Sequence, residues 1–171
     1  AVLLEDVRTS VLETFPNFIS EVAGLRFDEF VRLVVSDLSP NYARQVNVGI
    51  DNSDGEFIFC LDSSFERINA LYSGLKNFLH QMVGYMSNKE VGAIGGLIVD
   101  DSGRAVVTSG LMTDTKTVTV DMHYGEAIAS TGYFARLVVP SNCTAVHLGC
   151  LLTRRSLIEQ RGGFEEDMPV Q

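Results

Sequence analysis

Long apolar runs are missing from this sequence. No window approaches 18 consecutive apolar residues, so no segment reads as a membrane span and no membrane partner is expected. The first residues, Ala1-Val2-Leu3-Leu4-Glu5-Asp6, carry acid early and have no basic stretch, so they do not read as a signal peptide. The expectation is a soluble chain, cytoplasmic or part of a virion. Cysteine is scarce: Cys60, Cys143 and Cys150 are odd in number and lack framework spacing, so they read as buried free thiols. Positive charge is also short, with 13 Lys and Arg against 22 Asp and Glu and a net charge of −9. The basic residues are scattered, and Arg154-Arg155 is the one adjacent pair. Binding to DNA or RNA by phosphate neutralisation needs clustered bases, so no direct nucleic-acid partner is expected. The negative charge serves solubility. No internal repeat, low-complexity tract or long linker divides the chain.

What is present is enough for one core. A chain of 171 residues buries roughly 70% of its unfolded surface without help from metal or disulfides. The pattern predicts a single α+β domain over 1–160 and an extended tail over 161–171. Two helices are expected over 2–15 and 27–38. The clearest element is a long amphipathic helix over about 63–86. Its apolar residues Phe65, Ile68, Leu71, Tyr72, Leu75, Phe78, Leu79, Met82, Val83 and Met86 fall on one face, and Ser63 with Glu66 forms a capping box. Gly84 weakens its last turn and Ser87-Asn88 closes it.

The rest reads mainly as antiparallel strand, packed against that helix. Val46, Val48 and Ile50 alternate with polar neighbours, as do Phe57, Phe59 and Leu61 with theirs. Asp51-Asn52-Ser53-Asp54-Gly55 between them predicts a hairpin. A second hairpin runs from Ile94 through Asp100-Asp101-Ser102-Gly103 to Val107. Strands are expected over 115–122, with Val118, Val120 and Met122 inward, over 133–139, and over 144–152. Ala127 to Ser130 fits a short strand or a loop. A helix over 142–160, closed by Gly162-Gly163, competes for the 144–152 segment.

Few residue sets carry chemistry. His80 sits at the solvent edge of the long helix. His123 and Cys143 supply the minimum for a thiol nucleophile with an imidazole base. His123-Tyr124-Gly125, with Asn142-Cys143 twenty residues on, resembles the H-box and NC-box arrangement of some lipid-modifying and viral proteins. That resemblance implies acyl transfer through Cys143. Cys143, His147 and Cys150 are spaced four and three; on a helix they would share a face suited to zinc, and on a strand they would split. The strand reading leaves two core thiols and a rim imidazole, and no metal or cofactor is expected. Asp51-Asn52-Ser53-Asp54-Gly55 lacks the flanking ligands of a calcium loop, and Gly92, Gly95 and Gly96 have no helix start to cradle a phosphate. Residues 91–110 resemble the first hairpin of roadblock-type sensory modules, which implies a small-ligand-binding or protein-binding scaffold.

Three functions follow from these observations. The first is a non-enzymatic subunit of a self-assembling complex, a virion-, shell- or tube-like component. In that case Phe164, Met168 and Val170 of the tail are buried against another copy or another subunit. The second is a sensory or scaffold module with a pocket under the long helix. The third is a cysteine-dependent hydrolase or transferase using Cys143 with His123 or His147.

Overall fold

The computed structural model describes residue 34 and residues 41–62, 74–113 and 119–167, with residues 74–76 described by backbone alone. The helix expected over 2–15 and residues 63–73 of the long helix lie outside these residues. Val34, the one described residue in the helix expected over 27–38, is exposed and not helical. The described residues are mixed α+β, with three α-helices and antiparallel pairing throughout. They group into two compact units: one holds residues 41–54, 74–84 and 161–167, and the other residues 55–62 and 85–160.

In the first unit helix α1 (Tyr42–Asp51) occupies the segment whose alternation predicts a strand. Asn41 decides the matter. Its backbone is extended, and its side chain accepts a hydrogen bond from the Arg44 amide at 2.9 Å, which caps the helix. Ala43, Val46 and Ile50 are also spaced three and four apart, so the apolar residues suit a helix as well as a strand. Asp51-Asn52-Ser53-Asp54-Gly55 is therefore a helix exit and no hairpin turn. Asn52 closes the helix with its amide and its side chain, both donating to the Val48 carbonyl at 3.2 and 2.9 Å. Helix α2 (Gly74–Met86) ends at Met86, as Gly84 and Ser87-Asn88 predict. Met82 and Met86, one turn apart, are buried, while Val83 of the expected apolar face is exposed.

In the second unit β1 (Phe57–Leu61), β2 (Ala93–Gly95) and β7 (Cys150–Arg154) build the largest sheet among the described residues, in the order β1-β7-β2. Phe57 faces Arg154 and Leu61 faces Cys150 on one side, and Ala93 faces Thr153 on the other. Cys150, Leu151, Leu152 and Thr153 are all buried, as a middle strand covered on both faces requires. Helix α3 (Arg155–Arg161) follows without a break. Its start is fastened by Arg155, whose amide donates to the Glu56 carbonyl at 2.9 Å and whose Nε donates to the Gly55 carbonyl at 2.8 Å. Of the strand expected over 144–152 only residues 150–152 are strand; residues 144–149 form a bend, an isolated bridge at Ala145 and a turn, and the rival helix holds only from Arg155.

The remaining strands make one long ladder. Strand β3 (Ile98–Val99) pairs with β4 (Val106–Thr108) in the expected second hairpin. Ile94, which was expected in that hairpin, pairs with Leu152 in the other sheet instead. Asp100 builds the turn: its Oδ1 accepts from the Arg104 and Ala105 amides at 3.0 and 3.1 Å, and Ser102 donates to both its oxygens. The Ala105 and Arg104 amides, and then the Ser102 hydroxyl, hold its carboxyl below the usual range. Strand β5 (Leu111–Thr113) pairs with β6 (Thr119–Asp121). Backbone bonds continue that pairing to Ala105 and Ala127, so residues 104–113 run opposite 119–128. Met122 is buried but Val120 is 56% exposed, against the inward position expected for it.

Residues 133–139 are not the expected strand. They form a 3-10 turn at Tyr133–Ala135 followed by further turns. Gly132 has φ +67, and a Cβ there would lie 3.0 Å from Leu137 Cγ. The Leu137 amide closes the loop on the Thr131 carbonyl at 3.1 Å. A backbone that doubles back over six residues leaves no extended segment to pair, whatever the β propensity of its valines.

Candidate functional site

His123 stands where the long ladder is interrupted. Its φ is +61 and that of Gly125 is +77, so the backbone turns out of the ladder between Met122 and Glu126. The imidazole Nδ1 lies 2.7 Å from the Ser109 hydroxyl, a contact that the sequence reading missed. Only the register that sets Ser109 beside Met122 brings the two together. Ser109 Oγ also reaches the Met122 carbonyl at 3.4 Å.

A serine beside a histidine invites comparison with an activated nucleophile. Among the described residues no carboxylate orients the ring. Three amides beside the hydroxyl are bonded within the fold: Ser109 donates to the Met122 carbonyl, Gly110 to Thr108 Oγ1, and Leu111 to the Ala145 carbonyl. The pair bridges the two strands where the ladder is interrupted.

Cys143 lies against the next residue along. A Cβ built on Gly110 would sit 2.9 Å from both Cβ and Sγ of Cys143, so the thiol packs on the glycine. The imidazole is bonded to Ser109 and not to this thiol, so the acyl-transfer pair of His123 and Cys143 is not assembled. The zinc set is not assembled either. Cys150 is buried in β7, His147 is exposed and accepts the Gly149 amide at 3.1 Å, and no group of three metal-ligating side chains forms among the described residues. Burial pushes the Cys60 and Cys150 thiols up from their ordinary value, while Cys143 is half-buried. Native protein treated with iodoacetamide at neutral pH should therefore be modified at Cys143 alone, and at all three cysteines after unfolding. Early labelling of Cys60 or Cys150, read by peptide mass spectrometry, would contradict their place in the sheet.

The second unit also presents an apolar surface to solvent. Phe134 is 82% exposed and Tyr133 is 73% exposed, with their rings edge to face at 4.6 Å. Val138 and Val139 are exposed on the same loop. Phe134 and Ala135 both adopt positive φ, at +51 and +59, a conformation costing roughly 1–2 kcal/mol for each non-glycine residue. Arg136 is the loop's one charge, and no acidic residue occurs between Glu126 and Glu159. On the β5–β6 hairpin, Met112 and Val120 face each other across the strands and both are exposed. Together with Thr113, Asp121 and Met122 they line an open, mainly apolar depression.

In the first unit the C-terminal segment is tied to α1. The Asn47 side chain donates to the Phe164 carbonyl and to Glu166 Oε1, both at 2.9 Å, and accepts the Phe164 amide at 2.8 Å. Arg44 Nε meets Glu166 Oε2 at 2.7 Å, and Asn41 donates to the Glu166 carbonyl at 2.7 Å. The Arg44 guanidinium, and then the Asn47 amide, hold the Glu166 carboxyl below the usual glutamate range. Of the expected interface residues, Phe164 is half-buried within this arrangement, and Met168 and Val170 lie outside the described residues.

The chain is similar to "Uncharacterized protein y4gI" of Sinorhizobium fredii (strain NBRC 101917 / NGR234), with 27% identity over 134 residues that cover 78% of this chain. The chain spans 14% of the length of that relative. No family model matches the chain, and no solved structure matches it.

Proposed function

We propose that this chain is a non-enzymatic structural subunit of a larger self-assembling complex, a shell-, tube- or virion-like component. The loop over residues 133–139 carries the reading. It holds two residues in the left-handed region and turns a tyrosine, a phenylalanine and two valines toward solvent. Strain of this kind, kept in order to expose apolar surface, fits a loop that is covered in the working state. The acid-free stretch around it supports the same reading, because a chain of net charge −9 then meets its partner through a part that does not repel acid.

Light scattering across a concentration series tests the proposal. The intact chain should give a discrete or growing mass above that of one chain, and Phe134→Asp should bring the mass down at equal helix content. A monomer at every concentration overturns the reading and moves the sensory or scaffold module to first place.

A further inference from the structure

The arm after α3 has the parts of an exchangeable contact. Asn41, Arg44 and Asn47 follow one another at intervals of three along the start of α1, so they share one face. Between them they take up the amide and carbonyl of Phe164, both carboxylate oxygens of Glu166 and its carbonyl. Every hydrogen bond the arm makes among the described residues goes to this face. The set is specific, since it reads a backbone position, a charge and their spacing. It is also compact, since removing residues 164–167 takes away all of these bonds together.

Gly162 and Gly163 stand immediately before the arm, with φ +78 and +98. A Cβ at Gly162 would meet nothing, so no packing opposes a change of backbone at this position. A Cβ at Gly163 would come within 3.0 Å of Asn47 Oδ1, so glycine there lets the arm backbone close on the helix. Two adjacent glycines make a hinge whose backbone can swing at little steric cost.

We infer that residues 164–167 are an exchanged arm, which in the assembly docks on the Asn41–Arg44–Asn47 face of a second copy of this chain. The inference rests on the assembly reading above and names one contact that builds it. Every copy carries both the arm and its receptor, so the same five hydrogen bonds form within a chain or between chains. Exchange then costs little beyond the rotation at the hinge and the entropy of association, which is the logic of domain swapping. A reciprocal exchange doubles the contact and makes each arm's docking intramolecular once the first has bound.

Charge reversal separates exchange from a latch within one chain. Arg44→Glu sets two carboxylates against each other in its own chain, and Glu166→Arg sets two cations against each other. Each variant alone should lose the wild-type mass in light scattering. Mixed in equal amounts they should recover it, because Arg44 of one chain meets Glu166 of the other while the two reversed residues also pair. Recovery in the mixture supports exchange. A mixture that stays dissociated while wild type assembles shows a latch within the chain and overturns the inference, leaving the assembly reading standing. Wild type that never assembles overturns both.

A second measurement guards against a variant that fails to fold. Asn47→Cys with Phe164→Cys, in a Cys143→Ser background, places thiols on the helix and the arm. Oxidation of the assembled protein should give disulfides between chains on a non-reducing gel. Disulfides confined to single chains overturn the exchange.

Discussion

Replacing Arg154 with alanine should lower the stability of the second unit by about 2–4 kcal/mol, a loss expected when a cluster of charge-assisted bonds disappears together. Its guanidinium donates to the Met86 carbonyl at the end of α2, to the Asn88 carbonyl at 3.0 Å and to the Val91 carbonyl at 2.6 Å. The Met86 carbonyl is one that the end of a helix leaves open, and the Asn88 carbonyl takes the guanidinium in addition to the Val91 amide, which reaches it at 3.1 Å. The same side chain fixes where the chain leaves α2 relative to β7, and two residues later that chain enters β2. Arg154→Lys should recover only part of the loss, because an ammonium on a flexible stem cannot span three carbonyls as a planar fork does. Urea denaturation followed by circular dichroism reads the result as a lower midpoint at unchanged slope. An Arg154→Ala midpoint equal to wild type would remove the guanidinium from the account of the fold.

The second large effect belongs to Gly110→Ala, which should cost about 3 kcal/mol or more through two separate causes. One is the backbone. Gly110 has φ +135, a conformation that any Cβ opposes. The other is space, since that Cβ would lie 2.9 Å from Cys143 Cβ and Sγ. The site is rigid on every side. Thr108, 1% exposed, donates to the Gly110 carbonyl at 2.9 Å and accepts its amide at 3.1 Å, and the Met122 amide donates to the same carbonyl at 2.9 Å. Adding Cys143→Ala should relieve the crowding in part and leave the backbone cost in place, so the double variant stays well below wild type. Faster hydrogen exchange at the Leu111 and Met122 amides should accompany the loss. A Gly110→Ala protein as stable as wild type would mean that the ladder can shift at this position.

The elements legible in the sequence are those whose determinants are local. Asp100 makes its turn with residues at most five positions away, and the β3–β4 hairpin follows from that turn. Met82 and Met86 lie one helical turn apart and are buried, as the spacing of the long helix implies. Where two periods fit the same residues, the sequence is ambiguous. Val46, Val48 and Ile50 satisfy an alternation of two, yet the Asn41 cap makes the segment a helix. That misreading also hid the arm's receptor, because Arg44 and Asn47 fall on one face only if they are helical. Residues 133–139 look like a strand by propensity, and the reversal after Gly132 overrides it. The contact of Ser109 with His123 depends on ladder register, and no spacing along the chain announces it. Cys150 lies in β7, while Cys143 and His147 precede it in irregular backbone, an arrangement that neither the all-strand nor the all-helix reading of that segment contains.

The order β1-β7-β2 has a consequence for how the protein is made. The middle strand of this sheet is the last of its three to leave the ribosome. When β1 emerges, and later β2, neither has the partner it pairs with in the finished sheet, and both wait with open edges until residues 150–154 are synthesised. Insertion of the central strand closes two long loops at once, which places its entropic cost in a single late step. The sheet therefore cannot accumulate strand by strand during translation, and the apolar edges of β1 and β2 are what a chaperone meets in the interval.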